Sequence, residues 1–325
     1  VPEFGSLLVV GLGLIGGSVA LAARRRGLFA DVLGHDSSAE ALEKARRSGA
    51  ISEGSGEPDH LLDRAETVLL AIPVAQIPRW LDRWGERLVP GTVVIDVGST
   101  KRDVVRAMEG LPEGVEAVAA HPMAGSDESG MDAARPDLFH GSRWALVETS
   151  RTGGRARRVV RRLIESVGGV PVTMDAPAHD RAAAVTSHLP YVLSVALARH
   201  VGSRRGALSD TEIEALVGPG LRDLTRLASS EPRLMAEILA TNWPDVSDEV
   251  RRFQATLSSL ADRLDEAMEG REKNELGAAA ATSRVLEGAR AARQRIVDGA
   301  AGDSPTFTET FAEREADTRD NGEER

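Results

Sequence analysis

The segment 121–141 of this 325-residue chain contains the side chain with the clearest capacity for chemistry. It reads HPMAGSDESGMDAARPDLFHG, and it places His121 just past a short apolar run that is typical of a β-strand. The unperturbed pKa of an imidazole is about 6.5, so a neutral His121 can accept a proton at neutral pH. The sequence therefore predicts a general base at this position.

A glycine-rich turn near the start of the chain indicates a dinucleotide site. The turn reads GLGLIG, follows an apolar strand and opens a helix, which is the context that makes this pattern informative. Gly11 permits a tight turn, Gly13 lets the backbone approach a pyrophosphate, and Gly16 allows close packing of helix on strand. The helix start, with Leu14 and Ile15, offers N–H groups and a partial positive charge to phosphates. A glycine-rich turn without a ligand is the alternative interpretation.

Asp36 strengthens the dinucleotide interpretation and predicts NAD rather than NADP. It stands 20 residues after Gly16, at the end of the second predicted strand. A carboxylate there can accept hydrogen bonds from both ribose hydroxyls, and it would repel a 2′-phosphate. The neighbouring His35 and Ser37 leave phosphate binding open as an alternative.

Two further predicted strands end at the same ligand crevice, because ligands of doubly wound sheets bind outside the carboxyl ends of the strands. Ile72 and Pro73 end the third long strand, and Ser99 and Lys101 follow the fourth. All four are therefore candidate site residues. Ordinary loop polarity is the competing explanation for Ser99 and Lys101.

The elements that must position these residues alternate between strands and helices through the first half of the chain. This rhythm is typical of an α/β fold with a doubly wound, mostly parallel sheet. The helical stretches 18–26 and 39–48 each end at a glycine, as helices often do. The predicted strands are 7–10, 31–34, 67–72, 92–97, 115–120, 142–148 and 169–174. Residues 1–175 are thus predicted to form a dinucleotide-binding domain.

The second half of the sequence is expected to be an all-helical domain, residues 176–300. Its Ala-, Leu-, Arg- and Glu-rich segments are 178–201, 210–229, 232–241 and 245–298. In the last of these, apolar side chains recur at three- and four-residue steps: Phe253, Leu257, Leu260, Leu264 and Met268. This stripe predicts either packing within the domain or a subunit interface. Residues 301–325, with eight acidic and three basic side chains, are expected to be a disordered tail.

Composition excludes several classes of function. The 40 basic residues are outnumbered by 50 acidic ones, which argues against binding nucleic acid. The absence of cysteine removes disulfides, thiolate metal sites and cysteine nucleophiles, and no His, Asp or Glu spacing indicates a metal. No apolar run approaches the roughly 20 residues that span a membrane, so a cytoplasmic protein is expected. Residues 3–6 resemble a cloning-site remnant, and the first six residues are expected to carry no structural weight.

Five segments, residues 11–16, 96–101, 121–141, 186–190 and 220–226, together resemble the prephenate/arogenate dehydrogenase family of tyrosine biosynthesis. The most specific of them is HPMAGS followed by SG and DLFxG. The resemblance implies a Rossmann domain followed by a helical dimerisation domain, and hence a homodimer. It also implies NAD-dependent oxidative decarboxylation of prephenate to 4-hydroxyphenylpyruvate, carbon dioxide and NADH.

The resemblance also implies roles for individual residues. His121 would accept the hydrogen bond of the ring 4-hydroxyl of the substrate, and Ser99 would contact this hydroxyl and the histidine. Arg226 would bind the ring carboxylate, with Arg222 as a second basic residue. Asp127 occupies an acidic position that can interact with the arginine.

The second domain departs from the family pattern where the substrate side chain would be recognised. His188 belongs to the family motif TSHLP, but many prephenate-using members follow this motif with a histidine where this chain has Tyr191. A tryptophan that is frequent in the family is replaced by Met235. Arogenate and 4-amino-4-deoxyprephenate therefore remain alternative substrates.

Two rival functions share parts of this pattern. β-Hydroxyacid dehydrogenases have a similar layout but typically use a lysine in the second domain, and this chain has no lysine between residues 102 and 272. A non-catalytic NAD-sensing regulator would not need Ser99, His121 and Arg226 together.

Overall fold

The computed structural model describes residues 1–124, 128–203, 210–269 and 275–301. Within them the first half of the chain forms an eight-stranded sheet with helices on both faces. The strands are β1 Phe4–Val10, β2 Phe29–His35, β3 Glu53–Ser55, β4 Thr67–Leu70, β5 Val93–Asp96, β6 Glu116–Pro122, β7 Arg143–Glu148 and β8 Val170–Thr173. The helices that accompany them are α1 Leu14–Arg26, α2 Ala39–Arg47, α3 Asp59–Leu62, α4 Ile77–Trp84, α5 Arg102–Glu109 and α6 Gly154–Ser166.

The strand order is β3-β2-β1-β4-β5-β6-β7-β8. The first six strands are parallel, whereas β7 pairs antiparallel with β6 and β8 pairs parallel with β7. The order reverses between β1 and β4, which is the switch point where open α/β sheets form a ligand crevice. The carboxyl ends of β1, β4, β5 and β6 therefore meet at one edge of the sheet.

Alternation along the strands places two apolar cores, one on each face of the sheet. In β1, Leu7 and Val9 belong to one core and Leu8 and Val10 to the other. All four side chains are fully buried, as expected for a parallel strand covered on both faces. The predicted doubly wound α/β class is confirmed.

Two expectations for the first half were wrong. The first six residues do carry structure, because β1 begins at Phe4, which pairs with Phe29 of β2. The rings of these two residues lie 5.5 Å apart, so Phe4 contributes packing as well as backbone pairing. The edge strand β3 was not predicted, because the sequence Glu-Gly-Ser has little preference for strands and is held by pairing with β2.

After β8 the described residues contain helices alone. They are α7 Ala176–Ala183, a π-helical turn Ala184–His188, α8 Leu189–Ser203, α9 Asp210–Ala215, α10 Pro219–Thr225, a 3₁₀ turn Arg226–Ser229, α11 Pro232–Thr241, α12 Trp243–Met268 and α13 Glu275–Ala301. The predicted all-helical second half is confirmed. None of the helices that the structure describes is long and apolar enough to cross a membrane.

The chain forms two units, divided between Val246 and Ser247. The predicted domain boundary at residue 175 coincides with the end of the strands but stays a prediction. The predicted disordered tail lies, from residue 302 onward, outside the described residues.

Candidate active site

The glycine-rich turn between β1 and α1 is shaped by steric limits at two of its glycines. Gly11 has a φ of +92°, and a Cβ atom there would lie 2.5 Å from the carbonyl oxygen of Ala71. A Cβ atom on Gly16 would collide with the carbonyl oxygen of Gly11. A Cβ atom on Gly13, in contrast, would meet nothing within 4 Å. The turn is therefore packed against protein atoms at Gly11 and Gly16, whereas the space beside Gly13, at the N-terminus of α1, is open.

Asp36 lies directly beside this turn, just after β2. Its Oδ2 accepts a hydrogen bond from the backbone N–H of Leu12 at 2.8 Å, and its Oδ1 accepts one from Ser38 at 2.8 Å. These two bonds fix the carboxylate next to the glycine turn, and each oxygen keeps a second lone pair for a ligand hydroxyl. An open glycine cradle, a helix N-terminus and a fixed carboxylate together fit a dinucleotide.

His121 lies within β6 rather than just past it. The strand continues to Pro122 because β7 pairs with it, with His121 opposite Ala145 and Pro122 opposite Trp144. His121 is mostly buried but keeps partial exposure. It stands at the same edge of the sheet as the glycine turn, since β1 and β6 run in the same direction.

The Nδ1 atom of His121 is paired with a second histidine. It lies 2.9 Å from Nε2 of His179, whose Nδ1 lies 2.8 Å from Oδ1 of Asp180. Asp180 also accepts hydrogen bonds from the backbone N–H groups of Lys101 at 2.7 Å and Arg102 at 3.0 Å. Three side chains thus form a continuous chain of contacts behind His121.

His179 and Asp180 are site residues that no sequence pattern identified. They lie in the first turns of α7, which begins after the N-cap Asp175, and 58 residues separate His179 from His121. No spacing pattern connects positions that far apart. The adjacent His-Asp pair was the available signal, but such a pair is common on helix surfaces and does not by itself indicate a site.

Lys101, a sequence candidate, is fully buried and forms an ion pair with Asp96, the last residue of β5. Its Nζ also donates to the carbonyl oxygen of Ala120 at 2.8 Å, and Asp96 accepts from the N–H of Gly98 at 2.8 Å. These bonds tie the end of β5 to β6 immediately before His121. Lys101 therefore braces the strand and places a positive charge near the imidazole.

The surroundings of His121 keep its ring neutral. Burial is the largest effect, and the positive charge of Lys101 adds to it, followed by His179 and His188; together they hold the pKa of His121 well below its usual value. A cation in this position is disfavoured by both desolvation and like charge. The ring is therefore available as a proton acceptor across the neutral range.

His188 is buried in the π-helical turn between α7 and α8. Its Nδ1 lies 3.2 Å from Nδ2 of Asn242, which also donates to the carbonyl oxygen of Asp180 at 2.7 Å. Burial is the main cause that lowers the pKa of His188 to about 4. Single π turns often occur at functional sites, and this one places His188 near enough to His121 to help lower its pKa.

The remaining candidates are placed as follows. Ile72 and Pro73 follow β4, and the partly exposed Ser99 follows β5, all at the same edge of the sheet as His121. Tyr191 is partly buried in the first turn of α8. Arg222 in α10 and Arg226 in the 3₁₀ turn are exposed, and both elements pack on α8. Asp127 lies outside the described residues.

Comparison with known proteins agrees with this architecture. Residues 19–173 match the family model of the prephenate dehydrogenase nucleotide-binding domain, and residues 175–276 match that of the prephenate dehydrogenase dimerization domain. Prephenate dehydrogenase of Bacillus subtilis is 32% identical over 75% of this chain and 66% of its own length. Cyclohexadienyl dehydrogenase of Zymomonas mobilis is 31% identical over 79% of this chain and 87% of its own length.

Solved structures give the same result. Prephenate dehydrogenase of Aquifex aeolicus, in complex with hydroxyphenyl propionate and NAD+, is similar with a TM-score of 0.79 and 27% identity, over 90% of this chain and 98% of that one. Synechocystis arogenate dehydrogenase has a TM-score of 0.73 and 25% identity, over 90% of this chain and 99% of that one. The chain therefore belongs to the prephenate/arogenate dehydrogenase family.

Proposed function

We propose that this chain catalyses the NAD-dependent oxidative decarboxylation of prephenate. The observation that carries the proposal is a neutral, partly exposed His121 at the same sheet edge as the open glycine cradle. A proton acceptor and a dinucleotide site at one edge are the two requirements for oxidising an alcohol, which loses a hydride from its carbon and a proton from its hydroxyl group. Family membership supports the same reaction.

The residues that hold the cofactor are those of the glycine turn, the start of α1, Asp36 and the end of β4. The backbone of Gly13 would hold the pyrophosphate, and Asp36 would accept hydrogen bonds from the ribose hydroxyls. The negative charge of Asp36 disfavours the 2′-phosphate of NADP. NAD, the cofactor in the Aquifex complex, supplies the hydride acceptor.

His121 acts on the ring 4-hydroxyl of the substrate. Loss of hydride from C4 leaves positive character on that carbon unless the hydroxyl proton departs, so a base within hydrogen-bonding distance lowers the barrier. The new C4 carbonyl then accepts the electron pair of the bond between C1 and its carboxylate, and its oxygen takes back a proton from His121 to become the phenol hydroxyl. Carbon dioxide leaves and the ring becomes aromatic, which makes the reaction effectively irreversible. Ser99, after β5, orients the hydroxyl against His121.

Arg226, with Arg222 nearby, holds the ring carboxylate before it departs. A guanidinium can bind a carboxylate through two parallel hydrogen bonds, which orients the group. Asp127 is proposed to interact with this arginine. Because the carboxylate must leave as a neutral gas, the contribution of Arg226 is expected in substrate binding rather than in turnover.

The side chain of the substrate would contact the region where the π-helical turn joins α8. His188 ends that turn, and Tyr191 lies three residues later in α8. Tyr191 replaces an imidazole with a neutral phenol, which weakens the case for a pyruvyl group. Arogenate is therefore the second candidate substrate, and 4-amino-4-deoxyprephenate is the third. Similarity to an arogenate dehydrogenase favours testing arogenate beside prephenate.

A homodimer is proposed through the helical half of the chain. The apolar stripe of α12 is poorly covered within one chain, with Leu257 55% exposed, Leu260 37% and Met268 41%. Exposed apolar side chains aligned on one helix face favour association with another surface. The match of residues 175–276 to a dimerization domain supports a second copy of this chain as the partner.

The absorbance of NADH tests the proposal directly. Purified protein is mixed with NAD and either prephenate or arogenate, and formation of NADH is expected with at least one of them. In the same assay the kcat of His121→Asn is expected to be roughly 10²–10⁴-fold lower. Arg226→Ala is expected mainly to raise KM. His200→Asn, at an exposed histidine in the last turn of α8, serves as the control that retains activity. Absence of NADH with both substrates, or near-normal kcat in His121→Asn, would refute the proposal.

A further inference from the structure

We infer that His179 and Asp180 are positioning residues that select one tautomer of His121 and leave its Nε2 as the proton-accepting atom. This inference rests on the proposed function for its catalytic consequence. Its structural content, the position of one proton on the His121 ring, can be measured without any substrate.

The carboxylate of Asp180 stands at the far end of the chain of contacts from His121. Its side chain is fully buried, and Oδ1 receives the backbone N–H of Lys101 while Oδ2 receives that of Arg102. Burial acts to raise the pKa of Asp180, but the hydrogen bonds from His179 and from these two backbone groups outweigh it and lower the pKa below its usual value. Asp180 is thus an ionised group that can only accept hydrogen bonds.

An acceptor on Asp180 determines which nitrogen of His179 bears the proton. Nδ1 of His179 lies 2.8 Å from Oδ1 of Asp180, so Nδ1 is the donor of this pair. In a neutral imidazole the other nitrogen then has a free lone pair. Nε2 of His179 is consequently an acceptor, and it faces His121.

The same step repeats at His121. Its Nδ1 lies 2.9 Å from the accepting Nε2 of His179, so Nδ1 of His121 is protonated and donates. The ring of His121 is neutral, which leaves the lone pair on Nε2. The opposite tautomer would direct two lone pairs at each other in a buried contact, since His179 is only 2% exposed and water has little access.

This arrangement also helps His121 after the proton has moved. A doubly protonated His121 still donates from Nδ1 to His179, and the negative charge of Asp180 lies at the far side of that ring. Burial disfavours a cation at His121, and so do Lys101 at the start of α5, His179 on α7 and His188 in the π turn. Asp96 on β5 is the ion-pair partner of Lys101. The pair therefore offsets part of the cost of accepting the proton.

Hydrogen bonds to Asp180 hold the His179–Asp180 pair against the loop that follows β5. The N–H groups that hold Asp180 belong to Lys101 and Arg102, two and three residues after Ser99. Asn242 binds the backbone oxygen of Asp180 from the opposite side at 2.7 Å. The His179 ring is thereby fixed relative to both His121 and Ser99, as a positioning role requires.

The decisive measurement is the tautomer of His121 in the wild-type protein. Histidine-selective ¹⁵N labelling with long-range ¹H–¹⁵N correlation spectra distinguishes protonated from unprotonated ring nitrogens, and loss of one signal set in His121→Asn assigns the residue. The expected result is a neutral ring with Nδ1 protonated and Nε2 bare near pH 7.5. A ring protonated at Nε2 would overturn the inference.

Variants of His179 test the effect of the contact on catalysis. His179→Leu is expected to lower kcat roughly 10- to 100-fold with a small change in KM, as for loss of one buried hydrogen bond. His179→Gln, whose amide oxygen can accept from His121, is expected to recover most of the activity. His200→Leu, at an exposed histidine of α8, is the control. Thermal melting establishes that each variant folds.

The outcomes separate the inference from the proposed function. A folded His179→Leu with wild-type kcat would contradict the positioning role, whereas a wild-type protein that makes no NADH would contradict the proposed reaction. In the second case the wild-type tautomer still decides the inference. The same spectrum decides it if His179→Leu does not fold.

Discussion

Two alanine substitutions in the glycine turn should separate stability from cofactor binding. A methyl group on Gly16 would collide with the carbonyl oxygen of Gly11 and lie 3.0 Å from Cβ of Ala71. Neither neighbour is the end of a flexible side chain, so the turn must shift. A methyl group on Gly13 would meet nothing within 4 Å, and its φ of −78° and ψ of −160° suit any residue.

The expected magnitudes follow from these contacts. Overpacking of a buried site typically costs about 1–3 kcal/mol, so Gly16→Ala should lower Tm by roughly 2–10 °C in a chain of this size. Gly13→Ala should change stability by less than about 0.5 kcal/mol. It should nevertheless weaken NAD binding on the order of tenfold or more, because the methyl group occupies the space that the pyrophosphate needs.

Thermal melting without cofactor and calorimetric titration with NAD measure the two effects separately. Gly288→Ala is the control, since this glycine lies exposed in α13 with nothing within 4 Å of an added Cβ atom. It should stabilise the helix slightly and leave NAD affinity unchanged. Equal loss of Tm in Gly13→Ala and Gly16→Ala, or unchanged NAD affinity in Gly13→Ala, would refute the reasoning.

Three further predictions concern the cofactor, pH and assembly. Asp36→Asn removes the charge beside the glycine turn, so kcat/KM for NAD should fall roughly tenfold and the ratio of kcat/KM for NAD to that for NADP should decrease. Steady-state kinetics with both cofactors measure this ratio. An unchanged ratio would show that Asp36 does not contact the ribose. The pKa of His188 is about 4 in the folded protein and about 6.5 when unfolded, so the unfolded state binds more protons and the free energy of unfolding should fall by about 3 kcal/mol between pH 6.5 and 4. Urea titrations across this pH range should show that the free energy of unfolding of His188→Gln depends less steeply on pH than that of the wild type, with a remaining pH dependence from His121. An equal pH dependence in the two proteins would contradict the lowered pKa of His188. Leu257→Glu should convert the proposed dimer to monomers, as measured by light scattering after size-exclusion chromatography. Ser259→Glu, at an exposed position on the opposite face of α12, should leave the dimer intact. A dimeric Leu257→Glu would exclude this stripe from the interface.

Most of the sheet could be predicted from sequence because its signals are local. The strands β1, β2 and β4 to β7 contribute apolar residues to the cores on both faces of the sheet, and β8 is a partly exposed edge strand with an apolar start. Gly27 and Gly49 end their helices with φ values of +61° and +73°. β3 escaped prediction because Glu-Gly-Ser has no apolar pattern and becomes a strand through its pairing with β2. Phe4 was set aside because residues 3–6 resemble a cloning-site remnant, although β1 starts with it.

The candidate site was predictable only in part. The glycine turn, Asp36 and His121 stand next to recognisable strands, so their positions follow from local patterns and from the family resemblance. His179 and Asp180 stand in a helix of the second half, and nothing in their own segment points toward β6. Lys101 was a candidate for its place after β5, but its full burial against Asp96 depends on β6 lying alongside.

The amino-acid sequence by itself determined the α/β class, the dinucleotide fingerprint, the helical second half and the identity of a histidine that can accept a proton. Each of these depends on residues that are near one another along the chain, where backbone geometry sets the periodicity and spacing. Only the tertiary structure decided the chemical state of that histidine. Its pKa and its proton position depend on burial and on His179, Asp180 and Lys101, which the fold brings to β6 from two other elements, α7 and the start of α5. Electrostatic and hydrogen-bonding effects act over a few ångströms in space, whatever the separation in sequence.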